Sequence, residues 1–519
     1  MAYPSGYWRL LMRLRLGVLC ILAAGCADQD SLAPSDNPLP ADTTSDPNGN
    51  DSGEVSVTDF DATFDVTTLF DLEKLRSPDG INLQVKKDVI RWNESEQVWL
   101  VPFAFRSQIW HGNAWDHPSL LYVPKNLNPA FAGTIAMIQQ GTTDLDTGLS
   151  MDFDFGSKTA AMLGVPVAVL AKIPHPTVFS EQEDLDLADT YPECFGVSLV
   201  ENELEACGNR LVLASEQVKW SLQIAMVRAE IRAITAISLI PDKLSEIGVV
   251  DVPKFTAKSA VIGAGGKRAR VLWLAAVVDD RIAGIWLAAA DMANFVPFYQ
   301  NMVKAWSKDY PFGEPEQQIA FFSTGFGKDW RSIIDPYGYM ERRPDIDVMI
   351  VAGTNDALYP LGSYGVYSKR LPPDWSLLHV PNYGHGMASE AHLDAWRAFI
   401  ARVAGNRPLL KPLVTYDEQS GTIVVGVVLE GSQERVLDVQ DVTLSYTSMQ
   451  VMNADRDLRD AVWEHTALSP AGVDEQGRQR YSGAFTPTLD DWGAYVTVDE
   501  KDSAGLSGTS SSVVRLSWQ

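Results

Sequence analysis

Cations are scarce in this chain of 519 residues, where 42 Lys and Arg stand against 67 Asp and Glu for a formal charge of −25. So acidic a surface excludes a nucleic-acid binder held by phosphate contacts. Long apolar runs are missing too. No stretch of about 18 apolar residues follows the N-terminus, which excludes a polytopic membrane protein, and the acidic excess disfavours lying on an anionic bilayer. The 7 His fall at positions 111, 117, 175, 379, 385, 392 and 465, without zinc-ligand spacing, so neither a metal site nor a cofactor is expected. Against these deficits, 46% of the residues are hydrophobic, with 15 Trp, 19 Phe and 16 Tyr. That is ample for a large core, and the length suggests two or three domains.

The N-terminus reads as an export signal. Arg9, Arg13 and Arg15 precede an apolar stretch from Leu16 to Ala24, long enough for a signal-peptide hydrophobic region and too short to span a bilayer. Leu22-Ala23-Ala24-Gly25-Cys26 is similar to a bacterial lipobox, in which the peptidase cuts before a Cys that is then lipidated. Residues 1–25 are thus expected to be a lipoprotein signal peptide and Cys26 the anchored residue, with ordinary cleavage near Ala24 as the alternative. Between Ala27 and Asp59 there is no Lys, Arg or aromatic residue. Such a segment cannot bury enough surface to fold, so residues 26–59 are expected to tether the body to the membrane of a bacterial cell envelope. Cys20 leaves with the signal, and Cys194 and Cys207 remain as an even pair in an exported body, which points to a disulfide. The alternative is two unpaired thiols.

From about residue 115 to residue 405 apolar runs alternate with helical stretches. SLLYV (119–123), TIAMI (134–138), VPVAVL (165–170), SAVIGA (259–264), RIAGIWLA (281–288), DVMIVA (347–352) and WSLLHV (375–380) read as strands buried on both faces. Helical periodicity is clearest from about Glu216 to Ile240, where Trp220, Ile224, Val227, Ile231, Ile234 and Ile237 recur three or four apart. The alternation implies a doubly wound, mostly parallel sheet over residues 60–408, interrupted by a lid-like insertion at about 289–335. From Leu413 the pattern changes to short alternating strands between Gly, Ser and Asp turns, which reads as a β-sandwich over 413–519.

In a doubly wound sheet the chemistry lies beyond the carboxyl ends of the strands. DVMIVA is followed by Gly353-Thr354-Asn355-Asp356, and WSLLHV by Pro381-Asn382-Tyr383-Gly384-His385-Gly386. An Asp followed, one strand later, by a Gly-flanked His is the acid-then-base order of α/β-hydrolases. The Asp would fix the imidazole tautomer and the imidazole would deprotonate a nucleophile. That nucleophile belongs in a G-x-S-x-G elbow, and SAVIGA does lead into one. It reads Gly263-Ala264-Gly265-Gly266-Lys267-Arg268-Ala269, with no Ser, Cys or Asp. The cluster fits neither G-x-x-x-x-G-K-[ST] nor G-x-G-x-x-G, which leaves a phosphate cradle as the minor alternative.

At these residues the chain resembles the PhoPQ-activated pathogenicity-related proteins, a family that includes the autocrine proliferation repressor-like proteins. Their elbow reads GASKRGW, then TTWL and D-x-R-V. Here the run is AGGKRARVLWLAAVVDDRIAGI. Gly266 takes the serine position, Lys267, Arg268, Trp273, Leu274, Asp280 and Arg281 fall in register, and Ala269 and Arg270 replace the family's Gly and Trp. Trp115-Asp116-His117 resembles a W-x-H element. IIDPYGYMER, GTNDALYP and VPNYGHGM resemble the segments around the acid and the base, and NADRDLR an A-R-D-F-R element with Arg456, Asp457 and Arg459 in register. The resemblance implies an α/β-hydrolase-like fold, with Asp356 and His385 at the acid and base positions. Lys267 and Arg268 have a structural alternative as partners of carboxylates near the elbow. Gln139-Gln140-Gly141-Thr142 is where oxyanion donors would lie, or a simple turn.

A triad without its serine keeps only weak residual activity. The expectation is therefore an exported, lipid-anchored binding or regulatory module for a small-molecule or peptide ligand. Two alternatives remain: a hydrolase of esters, amides or peptides using another nucleophile or an activated water, and a structural envelope protein.

Overall fold

The computed structural model describes residues 65–139, 153–306, 310–311, 313–323, 325–434, 436–449, 457–489 and 491–518. The signal, the tether, Cys26, Gln140 to Thr142 and Arg456 lie outside these residues.

Unbroken apolar runs become central strands. Thr134–Gln139 and Val167–Leu170 are buried at every position, because helices cover both faces of the sheet. The sheet is built from β1 (Gln84–Val85), β2 (Arg91–Asn93), β3 (Val98–Trp110), β4 (Asn113–Pro124), β5 (Thr134–Gln139), β6 (Val167–Leu170), β7 (Ser259–Gly265), β8 (Ile282–Ala288), β9 (Asp347–Gly353) and β10 (Ser376–Val380). Their order is β1-β3-β4-β6-β5-β7-β8-β9-β10, with β2 also on β3. Strands β5 to β10 run parallel, and β4 joins β6 antiparallel. The long hairpin of β3 and β4 gives the sheet an antiparallel edge that the sequence reading reached only through residues 119–123.

The α-helices are α1 (Leu72–Arg76), α2 (Thr159–Leu163), α3 (Leu185–Thr190), α4 (Glu201–Ser215), α5 (Leu222–Glu246), α6 (Lys267–Val278), α7 (Phe295–Ala305), α8 (Pro315–Ser323), α9 (Gly325–Ile334) and α10 (Glu390–Gly405). The periodic stretch expected from Glu216 starts at Leu222. Trp220 belongs to a preceding 3₁₀ turn, Val218–Trp220, and the helix runs on through Pro241 to Glu246. Burial of Ile224, Val227, Ile231, Ile234 and Ile237 on α5 stabilises by about 2 kcal/mol each on an area basis. Helices α7, α8 and α9 occupy the region expected to be an insertion.

Beyond Gly405 two antiparallel sheets form a β domain. One is β11 (Lys411–Gln419), β12 (Thr422–Glu430), β16 (Gln479–Phe485) and β15 (Ser469–Val473). The other is β14 (Glu464–Ala467), β13 (Leu437–Met449), β17 (Asp491–Asp502) and β18 (Ser507–Ser511), with β19 (Arg515–Leu516) on β17. Alternation supplies the inner faces, since Ile423, Val425, Val427 and Leu429 of β12 pack with Val442, Leu444, Val496 and Val498. Leu458, Trp463 and Tyr495 instead join the main core of the α/β domain. No helix among the described residues is long and apolar enough to cross a membrane.

Candidate active site

Strand β7 delivers Gly265 to the carboxyl edge, and Gly266 opens α6 with φ +59° and ψ −132°, a conformation that strains any residue carrying a side chain. Its N–H donates to the Ala288 carbonyl (2.9 Å) and its carbonyl accepts from Ala269 N–H (3.0 Å). Neighbouring glycines serve close packing: a Cβ on Gly263 would stand 2.9 Å from the Trp396 ring, and one on Gly265 2.8 Å from the Met387 sulfur. At Gly266 the space is open. A Cβ there would meet His385 Nε2 first, at 3.5 Å.

The acid and base positions come together as their order along the chain implied. His385 Nδ1 lies 3.1 Å from Asp356 Oδ2 and 3.2 Å from Oδ1. Asp356 is 5% exposed and accepts the backbone N–H groups of Leu358 (2.7 Å) and Tyr359 (3.2 Å). This pairing orients the ring so that Nε2 faces the elbow, as a general base requires. Gly353 lets the two turns approach, because a Cβ there would lie 2.2 Å from the Tyr383 carbonyl.

Two asparagines that the sequence reading passed over tie these turns to the β domain. Asn355 Nδ2 donates to the carbonyls of Ala461 (2.7 Å), Arg459 (3.1 Å) and Leu458 (3.3 Å). Asn382 accepts from Trp463 N–H (2.8 Å) and donates to its carbonyl (3.1 Å). Asn–Asp and Asn–Tyr dipeptides read locally as turn formers. Only the tertiary fold brings residues 458–463 within reach.

Lys267 and Arg268 point away from the imidazole toward α4. Lys267 Nζ sits 3.2 Å from Glu201 and 3.8 Å from Glu205 and bonds Asn202. Arg268 pairs with Glu201 and donates to the Ile173 carbonyl (2.5 Å). Arg270, in place of the family's Trp, pairs with Glu205 at 2.6 Å. Burial pushes the Lys267 ammonium down, against the pull of the two glutamates. The Cys194–Cys207 disulfide joins α4 to the turn at Pro192–Cys194, so the bridge, the acidic helix and the elbow form one unit.

Three further groups bear on the chemistry. Gln139 ends β5 with its side chain buried against the fully buried Glu230 of α5. Burial pushes the Glu230 carboxyl up to about 8. Asp291, beyond β8, accepts the Tyr367 hydroxyl at 2.7 Å, and burial raises it to about 7. A serine–histidine contact lies away from the elbow, Ser107 Oγ to His117 Nε2 at 2.8 Å, with His117 Nδ1 toward the Ala171 carbonyl. Burial drives His117 down to about 3, so it is too weak a base to hold a serine proton at neutral pH. Its role is structural. Among the described residues no group of three or more His, Cys, Asp or Glu could hold a metal ion.

The chain is 26% identical over 252 residues to autocrine proliferation repressor protein A of Dictyostelium discoideum, covering 45% of this chain and 47% of that protein. It thus spans about half the length of that curated relative. Among solved structures it overlaps acetyl xylan esterase 1 from Thermoanaerobacterium sp. JW/SL YS485 at 11% identity, covering 64% of this chain and 90% of that one with a TM-score of 0.37. The S-formylglutathione hydrolase from Agrobacterium tumefaciens overlaps at 14%, 61%, 96% and 0.34 respectively. Overlaps so partial bear no weight beside the sheet order itself and the family match. Residues 81–459 match the family described as PhoPQ-activated pathogenicity-related protein, and with that span including the elbow, the acid turn and the histidine turn, the chain belongs to this family.

Proposed function

We propose that this is an exported, lipid-anchored member of the family that has lost serine-hydrolase chemistry and acts as a binding or regulatory module for a small-molecule or peptide ligand. One observation carries the reading. The elbow keeps the backbone of a nucleophile turn and faces a paired Asp356–His385, yet position 266 has no side chain. Without a hydroxyl there is no acyl-enzyme route, and the remaining groups can bind and polarise a substrate without attacking it. Lipidation at Cys26 would hold the body at a membrane of the cell envelope. Cys26→Ala should therefore move the protein into the soluble fraction, and a variant that still sediments with membranes overturns the anchor.

The purified wild type should resist a fluorophosphonate probe and turn over ester, amide and peptide substrates no faster than His385→Ala. The retained acid–base pair favours a second reading. His385 Nε2 has no hydrogen-bond partner among the described residues and faces open space where a serine would stand, so it could activate water there. General-base help of that kind contributes a factor of about 10² to 10⁴. Turnover that His385→Ala abolishes, with no covalent labelling, would establish this reading and refute the first.

A further inference from the structure

Four strand positions from the elbow, and sharing none of its residues, a cavity of about 580 Å³ opens between β3, α1 and α5. Volumes of this order suit small-molecule ligands. Its walls carry Lys74, Arg106, Arg228 and Arg232 against the two carboxylates Asp71 and Asp79, an electropositive hollow in a chain of charge −25. Arg106 is neutralised by Asp116 through a two-point contact at 2.8 and 2.9 Å. Arg232 is consumed in binding the carbonyls of Lys74, Ser77 and Asp79, which closes the C-terminal end of α1.

Arg228 differs from both. Half-buried, it makes one long hydrogen bond, to the Leu69 carbonyl at 3.3 Å, and lies 5.9 Å from the Phe70 ring. It has no carboxylate partner among the described residues, and burial alone lowers its pKa. Its remaining N–H groups are open to the cavity and free to take a charge-assisted, two-point contact from an anion. Lys74 of α1, also without an ion-pair partner among the described residues, lines the same cavity. The remaining walls include apolar Leu75 and Ile109, the latter 68% exposed.

We propose that this cavity binds a small organic carboxylate, its anionic group held by Arg228 and Lys74 and its apolar body against Leu75 and Ile109. The fork of Arg228 matches a carboxylate in two-point geometry. The Asp79 carboxylate lies beside Arg232, Asp71 caps the Lys74 N–H at 3.0 Å, and neither forms an ion pair with Arg228 among the described residues.

The test is ligand-observed NMR titration of the full chain with 4-phenylbutyrate and its neutral amide. The carboxylate should bind, and the amide at least about tenfold more weakly, since a charge-assisted hydrogen bond of about 1.5 kcal/mol corresponds to that factor. Arg228→Met keeps the apolar stem and should weaken carboxylate binding about tenfold. Lys74→Gln, on the exposed side and harmless to the core, should weaken it in the same direction. His385→Ala should leave binding unchanged. Equal affinity for acid and amide, wild-type affinity in both cavity variants, or no binding at millimolar probe overturns the proposal. So does loss of binding in His385→Ala alone, which would place the ligand in the elbow site.

Discussion

Restoring a hydroxyl at position 266 tests how much of the catalytic geometry survives. A Cβ there would contact nothing nearer than His385 Nε2 at 3.5 Å, then His385 Cε1 at 3.9 Å and the Ala289 carbonyl at 4.0 Å. These are ordinary van der Waals distances, so Gly266→Ser costs backbone strain and no collision. At φ +59° and ψ −132° that strain is about 1 to 3 kcal/mol, which for a domain of this size lowers Tm by about 2 to 4 °C. The Oγ, one bond beyond Cβ, comes within hydrogen-bond reach of Nε2. Fluorophosphonate labelling followed by peptide mapping should then find the adduct on the introduced serine. Adding His385→Ala should slow labelling by about 10² to 10⁴, the contribution of a positioned general base. A Gly266→Ser protein that folds within the expected Tm range and stays unlabelled would refute the inference that the scaffold is intact. Labelling indifferent to His385 would refute the base assignment.

Replacing Asn355 with Ala strands three carbonyls and should cost about 1 to 3 kcal/mol. In the Gly266→Ser background it should also slow labelling; unchanged labelling would mean the clamp is idle. Removing the bridge with Cys194→Ser and Cys207→Ser should cost about 3 kcal/mol on the chain-entropy model for a loop of this length. Calorimetry reads this as a lower Tm, and reducing agent should then no longer affect the protein. Glu230 stays protonated in the fold up to about pH 8, whereas the unfolded chain ionises above about pH 4.5. It therefore subtracts stability progressively between those values, and the loss is constant above them. Glu230→Gln should match wild type near pH 4 and exceed it by a few kcal/mol at pH 9 in denaturant titrations. A difference independent of pH would show that Glu230 ionises freely in the fold.

The parts readable from sequence were those decided by local pattern. Continuous apolar runs marked β5 to β10 because two-sided burial leaves no polar alternation, and strand order placed Asp356 and His385 at adjacent edges. The β3 strand escaped because Pro102 and the mixed residues from Arg106 to Gln108 break the run, while pairing with β4 across a register shift carries it through. Trp220 looked helical because its spacing fits α5, yet it packs beneath His111, ring centroids 4.2 Å apart, from a separate turn. The partners of Lys267, Arg268 and Arg270 were unreadable, since Glu201 and Glu205 lie more than sixty positions upstream and such charges ordinarily read as a solvated helix face. Asn355 and Asn382 were invisible for the same reason. Their partners belong to another domain.

That cross-domain attachment governs how the protein can be divided. Asn355 and Asn382 reach carbonyls and amides between Leu458 and Trp463, and the family match itself ends at Arg459, well inside the sandwich. A truncated version ending after α10 would look complete by its sheet while leaving the acid and base turns without their outer support. Swapping in another family member's sandwich would have to preserve that loop and also the contacts of β17, β18 and the residues after them, where Glu500 pairs with Arg407, Ser511 accepts the His379 N–H and the Val514 N–H donates to the Tyr364 hydroxyl. The unit that has to be kept together is therefore the α/β sheet, that loop and the edge of the sandwich formed by β17 and β18, while β11, β12, β15 and β16 form the sheet on the other side of the sandwich.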